Sequence, residues 1–250
     1  MSALPETTGN DIFPPTRWSQ VLVAQGDDTK AAGALNELCR AYWQPIYGYL
    51  RRRASGPEEA QDWTQDYFAS LIRRDYLKKA SEDIGRLRAF LLADVKFFLN
   101  NARRANAAEK RGGSAVIVPL DVEWAERHHQ TTLHSRLTDE HVFDRTWALR
   151  TLEQARQRLA DEYTRSGRGA IFTALSAWID KSPSRADYEV IAAEAAINGA
   201  DNAKVALSRL RSRLGSALRA VVTETLSEPG DVEDEIKHLF RVLASSGCQA

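Results

Sequence analysis

The chain has 250 residues, 43% of them hydrophobic, enough to bury one large core or two modest ones. Its charges balance, 34 basic against 34 acidic, which excludes a global field suited to nucleic acid, so any such binding has to come from local patches. The opening Met-Ser-Ala-Leu-Pro-Glu-Thr-Thr is neither basic nor apolar, and no stretch reaches the roughly 18 apolar residues of a membrane span, so a soluble cytoplasmic protein is expected.

Alternating strand patterns are nearly absent, the short apolar run Ala115 to Val118 aside, and helical periodicity fills most of the remainder. It predicts helices near Thr16 to Ala24, Thr29 to Arg53, Pro57 to Arg74 and Gly85 to Ala108. A polar, glycine-bearing stretch from Lys110 to about Leu137 reads as a linker. Helices resume at Asp139 to Tyr163, Gly169 to Asp180, Ser184 to Ala196, Asn202 to Thr225 and Val232 to Ala244. The expectation is an all-α protein with an N-terminal extension (1–27), a first helical domain (28–109), a linker (110–138), a second helical domain (139–225) and a C-terminal extension carrying one helix (226–250). Cys39 falls inside an apolar helical pattern and Cys248 near the end, which makes neither a disulfide framework nor a metal spacing; Cys39 reads as a small core residue.

Three helices carry more than periodicity. From Pro57 onward, Ala60, Trp63, Tyr67, Phe68, Leu71 and Ile72 form an apolar stripe, while Glu59, Asp62 and Asp66 share one flank. That flank is either a solvated acidic face near a helix N-terminus or a docking surface for a basic partner helix, with the Gln65 amide alongside. In the next helix Leu87, Phe90, Leu91, Val95, Phe98, Leu99 and Ala102 face a core, and Lys96, Asn100 and Arg103 fall on another side, followed by Arg104. Such groups suit phosphate and base-edge contacts, although a charged face is also what water alone would favour.

The helix from Asn202 is the strongest local sign of DNA binding. From Lys204 to Arg219 it has five basic residues and no acidic one. Leu207, Leu210, Leu214, Leu218 and Val221 mark its buried side, leaving Lys204, Ser208 and Arg211 outward, with Arg211 the candidate base reader and Arg209 and Arg213 at the flanks. A short helix and the connection Ile197-Asn198-Gly199-Ala200-Asp201 precede it, the order of a helix-turn-helix. The last helix has a stripe of Val232, Ile236, Leu239, Phe240 and Leu243, and Glu228 to Glu235 holds five acidic residues and no basic one, which disfavours contact with phosphate. Packed on the helix-turn-helix, it would partly cover the DNA face.

Together these segments resemble the extracytoplasmic-function sigma factors, in particular long-chain variants with a C-terminal extension. The stretch 34–53 is similar to the opening of the family's sigma-2 domain. Asp62, Gln65, Asp66 and Phe68 match its polymerase-docking motif, which implies contact with the clamp helices of the β′ subunit. Residues 86–104 resemble the segment that recognises and melts the promoter −10 element, implying DNA contacts by Lys96, Asn100, Arg103 and Arg104 and an extruded base held by the loop 76–85. Trp147 to Tyr163 and Tyr188 to Leu214 resemble the sigma-4 domain, implying −35 contacts by Lys204, Ser208, Arg209, Arg211 and Arg213 and a second polymerase contact at the β flap. The family usually has leucine-glycine-apolar at the sigma-4 turn; here the glycine is displaced to Gly199, and Ala203 stands where a larger apolar residue is usual. An anti-sigma protein and a Ser/Thr kinase acting on Thr64 are further candidate partners.

The resemblance implies a promoter-recognition subunit with no catalytic residue, cofactor or metal. His128, His129, His134, His141 and His238 form no carboxylate–histidine pair at metal spacing, and neither a nucleophile elbow nor a phosphate-cradling glycine loop is present. The alternatives are a helix-turn-helix regulator that needs no polymerase, and a polymerase-docking adaptor without promoter melting.

Overall fold

A computed structural model describes residues 28–73, 86–105, 122–123, 125–127, 137–226 and 231–245. The helix expected at 16–24, the loop 76–85, most of the linker, Cys248 and the side chains of Ile72, Ala102, Arg103 and Arg104 lie outside what is described. The fold is all-α. Its helices are α1 (Asp28–Arg51), α2 (Pro57–Arg73), α3 (Leu87–Ala105), α4 (Asp139–Arg165), α5 (Gly169–Ser176), α6 (Arg185–Glu194), α7 (Ala200–Thr223) and α8 (Val232–Ala244). An antiparallel backbone bridge, Arg86 to Leu226, joins the start of α3 to the end of α7.

Most ends follow from local chemistry. Pro57 opens α2, where its fixed φ is helical and its missing N–H costs nothing. Thr138 caps α4 by accepting from the His141 N–H, and Ser184 and Asp187 form a reciprocal capping box on α6. Helix α5 stops four residues short of the expected Asp180.

Packing divides the molecule differently from the linker. One buried cluster takes Tyr42, Ile46 and Leu50 of α1, Phe68 of α2 and Leu91 of α3, then Phe143 and Trp147 from the first half of α4, Val221 and Val222 from the end of α7, and Leu239 of α8. A second, smaller cluster holds Leu159 and Tyr163 of α4, Leu175, Ile191, and Ala203, Leu207 and Leu210 of α7. Leu214 packs against both. With 27 and 24 residues, α4 and α7 run about 36–40 Å, longer than one small core, and so pass through both clusters. Cys39 is buried in the first, and burial pushes its thiol up to about 12.

At the junction of α3, α4 and α8, within the first cluster, sits a charged network. Arg88, 7% exposed, donates through Nε and Nη2 to the two carboxylate oxygens of Glu235 at 2.7 and 3.2 Å, and through Nη1 to Asp144 at 2.8 Å. Its guanidinium lies 5.1 Å from the Trp147 ring centroid. Burial alone would lower the Arg88 pKa; Glu235 and then Asp144 outweigh it and raise it. Around this network Arg51 pairs with Glu126, and Arg52 and Arg53 with Asp139. Helix α8 therefore buries Glu235, Ile236, Leu239 and Val242, while Phe240, expected in its stripe, is 54% exposed. It lies on the first half of α4 and the last turns of α7, away from Lys204 to Arg213. The expectation that it covers the DNA face is corrected: the Arg88 anchor and the α4 groove hold it at the other end.

Candidate nucleic-acid and polymerase interface

On α2, Ser55 donates from its N–H and hydroxyl to Glu59 at 2.7 and 2.6 Å, which lowers the Glu59 carboxyl and uses it as a local cap. The open acidic line is instead Glu58, Asp62 and Asp66, all exposed, at i, i+4 and i+8. Neither Asp62 nor Asp66 forms an ion pair with a described residue, and Gln65 is half-buried beside them. Phe68 departs from its expected role. It is fully buried, edge-on to Tyr67 with centroids 5.3 Å apart, so it packs α2 from behind and is not on its surface. Thr64 is also fully buried and donates to the Ala60 carbonyl at 2.6 Å. A kinase cannot reach it in the folded chain, so the phosphorylation expected there is withdrawn.

On α3, Asn100 is exposed, and Lys96 is half-exposed and held by Glu140 of α4 at 2.9 Å. This lysine, by its hydrogen bond first, lowers the Glu140 carboxyl to about 2. Helix α3 also presents Phe97, 52% exposed, next to Asn100 on the helix surface. The periodicity contained this signal, since Phe97 lies off the stripe of Leu91, Val95 and Phe98. An exposed aromatic beside an amide and an ammonium is a platform on which an unpaired base can stack, at about 1–3 kcal/mol per base.

The segment read as a helix-turn-helix consists of α6, a five-residue turn and α7. Helix α6 ends in a Schellman pair, Ile197 N–H to the Ala192 carbonyl (2.8 Å) and Ala196 N–H to the Ala193 carbonyl (3.3 Å). The left-handed residue this motif requires is Ala196, at φ 51°, while Gly199, at φ 82°, starts α7. Two left-handed positions explain the longer turn, and alanine occupies the one where glycine fits best. Ala196→Gly is expected to raise stability by about 1 kcal/mol, read as a higher urea midpoint at unchanged slope, because the left-handed penalty is removed.

Along α7, Lys204, Val205, Ser208, Arg209 and Ser212 are exposed. Arg211 is not outward. Its guanidinium donates to the carbonyls of Ile179 (2.9 Å), Trp178 (3.0 Å) and Lys181, capping the chain as it leaves α5. These carbonyls lie beyond the end of α5; Trp178 also accepts from the Lys181 N–H at 3.3 Å, and Arg211 gathers all three. The candidate base reader is therefore a structural cap. Arg213 pairs with Glu162 and lies 5.4 Å from the Tyr163 ring centroid, and Arg168 lies 5.2 Å from the same centroid. Together with Arg209 these arginines line a cleft of about 510 Å³ beside α7 that has no carboxylate in its wall. Arg168 stands in the α4–α5 connection, far from the helix-turn-helix in sequence, and only packing reveals it.

No group of histidine, cysteine or carboxylate side chains among the described residues could hold a metal ion, and none of the described helices is long and apolar enough to cross a membrane. No protein-family model, no curated protein and no solved structure matches the chain.

Proposed function

We propose that the chain is a non-catalytic, cytoplasmic promoter-recognition subunit of RNA polymerase, similar to the extracytoplasmic-function sigma factors. In this reading the Glu58–Asp62–Asp66 line of α2 docks on the β′ clamp helices, with a second contact to the β flap from the helices around α4. The Lys96, Phe97 and Asn100 face of α3 opens the −10 element, with Arg103 and Arg104 following in the sequence. Lys204, Ser208 and Arg209 of α7 meet the −35 element in the major groove, with Arg213 and Arg168 beside the DNA backbone. The carrying observation is charge placement: in a chain with no net charge, one exposed helix face is acidic and another, on the second helix of a helix-turn-helix, is basic.

The test is transcription by core polymerase with and without the chain on a library of promoter fragments; selective initiation supports the reading, and none overturns it. Arg168→Ala combined with Arg213→Ala is expected to weaken duplex binding and lower its salt slope by about 2, one for each phosphate contact removed. Arg211→Ala is expected to loosen the end of α5 without changing base preference. One observation favours a second reading, the adaptor: Arg211 is engaged on the protein itself. An adaptor would bind core polymerase and leave promoter DNA unbound, which the same assay separates.

A further inference from the structure

We infer that the arginine-lined cleft beside α7 is a binding site for a small amphiphilic anion, a phosphate monoester on an apolar, ring-sized body. A molecule seated there competes with duplex DNA for two of the same cations. The site goes beyond the promoter-recognition reading; only the competition rests on it. The connection after α4 builds one wall. Gly167, at φ 71°, closes a Schellman pair in which the Gly167 N–H donates to the Thr164 carbonyl (3.0 Å) and the Arg168 N–H to the Tyr163 carbonyl (2.8 Å). That turn fixes the backbone of Arg168 against the end of α4. The opposite wall is one face of α7, where Arg209, Ser212 and Arg213 stand at i, i+3 and i+4. Arg168 and Arg213 both lie against the Tyr163 ring, 5.2 and 5.4 Å from its centroid, and Phe172 packs against the same ring at 5.7 Å. Tyr163 is itself buried, so the two guanidiniums are held on a fixed platform and lose little freedom when an anion arrives.

Charge sets the head group. Arg213 is held by Glu162, Arg168 donates from Nε to the Ser166 hydroxyl at 3.1 Å, and neither Arg168 nor Arg209 pairs with a carboxylate of the described residues. Three guanidiniums against one carboxylate leave about two positive charges, the match for a phosphate monoester, which carries about −1.5 to −2 near neutral pH. Guanidinium forks and the Ser212 hydroxyl are the donors that phosphate oxygens take. The rest of the lining sets the body. It is Ile171, Leu175, Ile197 and Ala206, and the only side-chain acceptors in the wall are the Ser212 and Tyr163 hydroxyls. The amino groups of a nucleobase would go largely unpaired against such a surface, whereas an apolar ring gains by leaving water. At about 510 Å³ the cleft falls within the size range of small-molecule sites, about 300–1,000 Å³. A DNA backbone passing over the surface uses the cations and has no need of an aliphatic cavity between them.

The probe is 1-naphthyl phosphate, which joins such a head to a two-ring body and reports binding by its own fluorescence. Titrated into the full chain alone, it is expected to bind saturably and at least tenfold more tightly than either inorganic phosphate or 1-naphthol. Equal affinity for inorganic phosphate overturns the inference, and so does equal affinity for 1-naphthol or an absence of saturable binding at millimolar probe. Ala206→Phe fills the cleft from α7 and leaves every arginine in place; it is expected to weaken probe binding at least tenfold. Arg168→Gln with Arg209→Gln, both exposed, is expected to do the same at unchanged thermal unfolding. A folded variant of either kind that binds the probe as the parent does overturns the inference. Competition is read separately. At saturating probe, affinity for duplex DNA is expected to fall severalfold in the parent chain and to stay unchanged in Ala206→Phe. Unchanged duplex affinity in the probe-bound parent overturns the competition. A chain that takes the probe but binds no duplex, with or without polymerase, keeps the site and overturns the promoter-recognition reading instead.

Discussion

Glu235→Ala is expected to destabilise the chain by about 3–5 kcal/mol, measured as the change in unfolding free energy from urea titration. Glu235 is 1% exposed and supplies two of the three carboxylate hydrogen bonds that Arg88 makes in the junction. Removing it leaves a buried guanidinium with Asp144 and the Trp147 face, too little to replace its lost hydration. The same change releases the best-anchored turn of α8, so protection of amide hydrogens in α8 should fall before that of α4. Arg88→Met together with Glu235→Leu removes both charges and restores apolar packing; it is expected to recover most of the loss. If the double variant is as unstable as either single one, the ion pair is not what makes the single changes costly, and volume at the junction is. A Glu235→Ala protein with unaltered stability would mean that the Arg88–Glu235 pair does not form in solution.

Asp62→Lys with Asp66→Lys is expected to weaken binding to core polymerase by about 2–5 kcal/mol, a loss of roughly 30-fold to several thousandfold, if both carboxylates meet basic groups in a desolvated contact. The structure makes this a clean experiment, because both side chains are exposed, unpaired among the described residues and on the face opposite Tyr67 and Leu71. Thermal unfolding should therefore be nearly unchanged. Phe68→Ala is the instructive contrast. It too should weaken binding, but through loss of about 3–5 kcal/mol of core stability that removes the helix from its place. A folded Asp62→Lys, Asp66→Lys protein with full polymerase affinity would exclude α2 as the docking element.

How much was legible beforehand depended on the range of the interaction concerned. Helix existence and most boundaries came through because they rest on contacts within a few residues: Pro57 at its first position, the Ser184–Asp187 capping box, the apolar stripes of α3 and α7. Helix α8 was expected at Val232 to Ala244 and is found there. The exposed carboxylates Asp62 and Asp66 were equally readable, since a stripe that buries one side of a helix leaves the other to solvent.

What the stripe could not convey was its width, or what lies against it. Phe68 is buried as its place in the stripe required, but Thr64 falls within a buried arc wider than the apolar letters alone, because α1 and α3 both press on α2. Arg88 shares a helical line with Val95 and Leu99, which already placed a charge on the core side, yet its partner Glu235 is 147 residues away and no local rule connects them. Arg211 was assigned outward by position on the wheel, and the carbonyls after α5 hold it in, a contact that exists only once the chain after α5 and α7 are packed together. By itself the sequence determined an all-helical chain with an acidic helix face and a basic one, because helical periodicity and charge placement are properties of neighbours three and four residues apart. Which of those charges stay open to a partner was decided only by tertiary structure, since long helices threading two cores bring carboxylates of the second half onto cations of the first, and burial makes each such pairing costly to break.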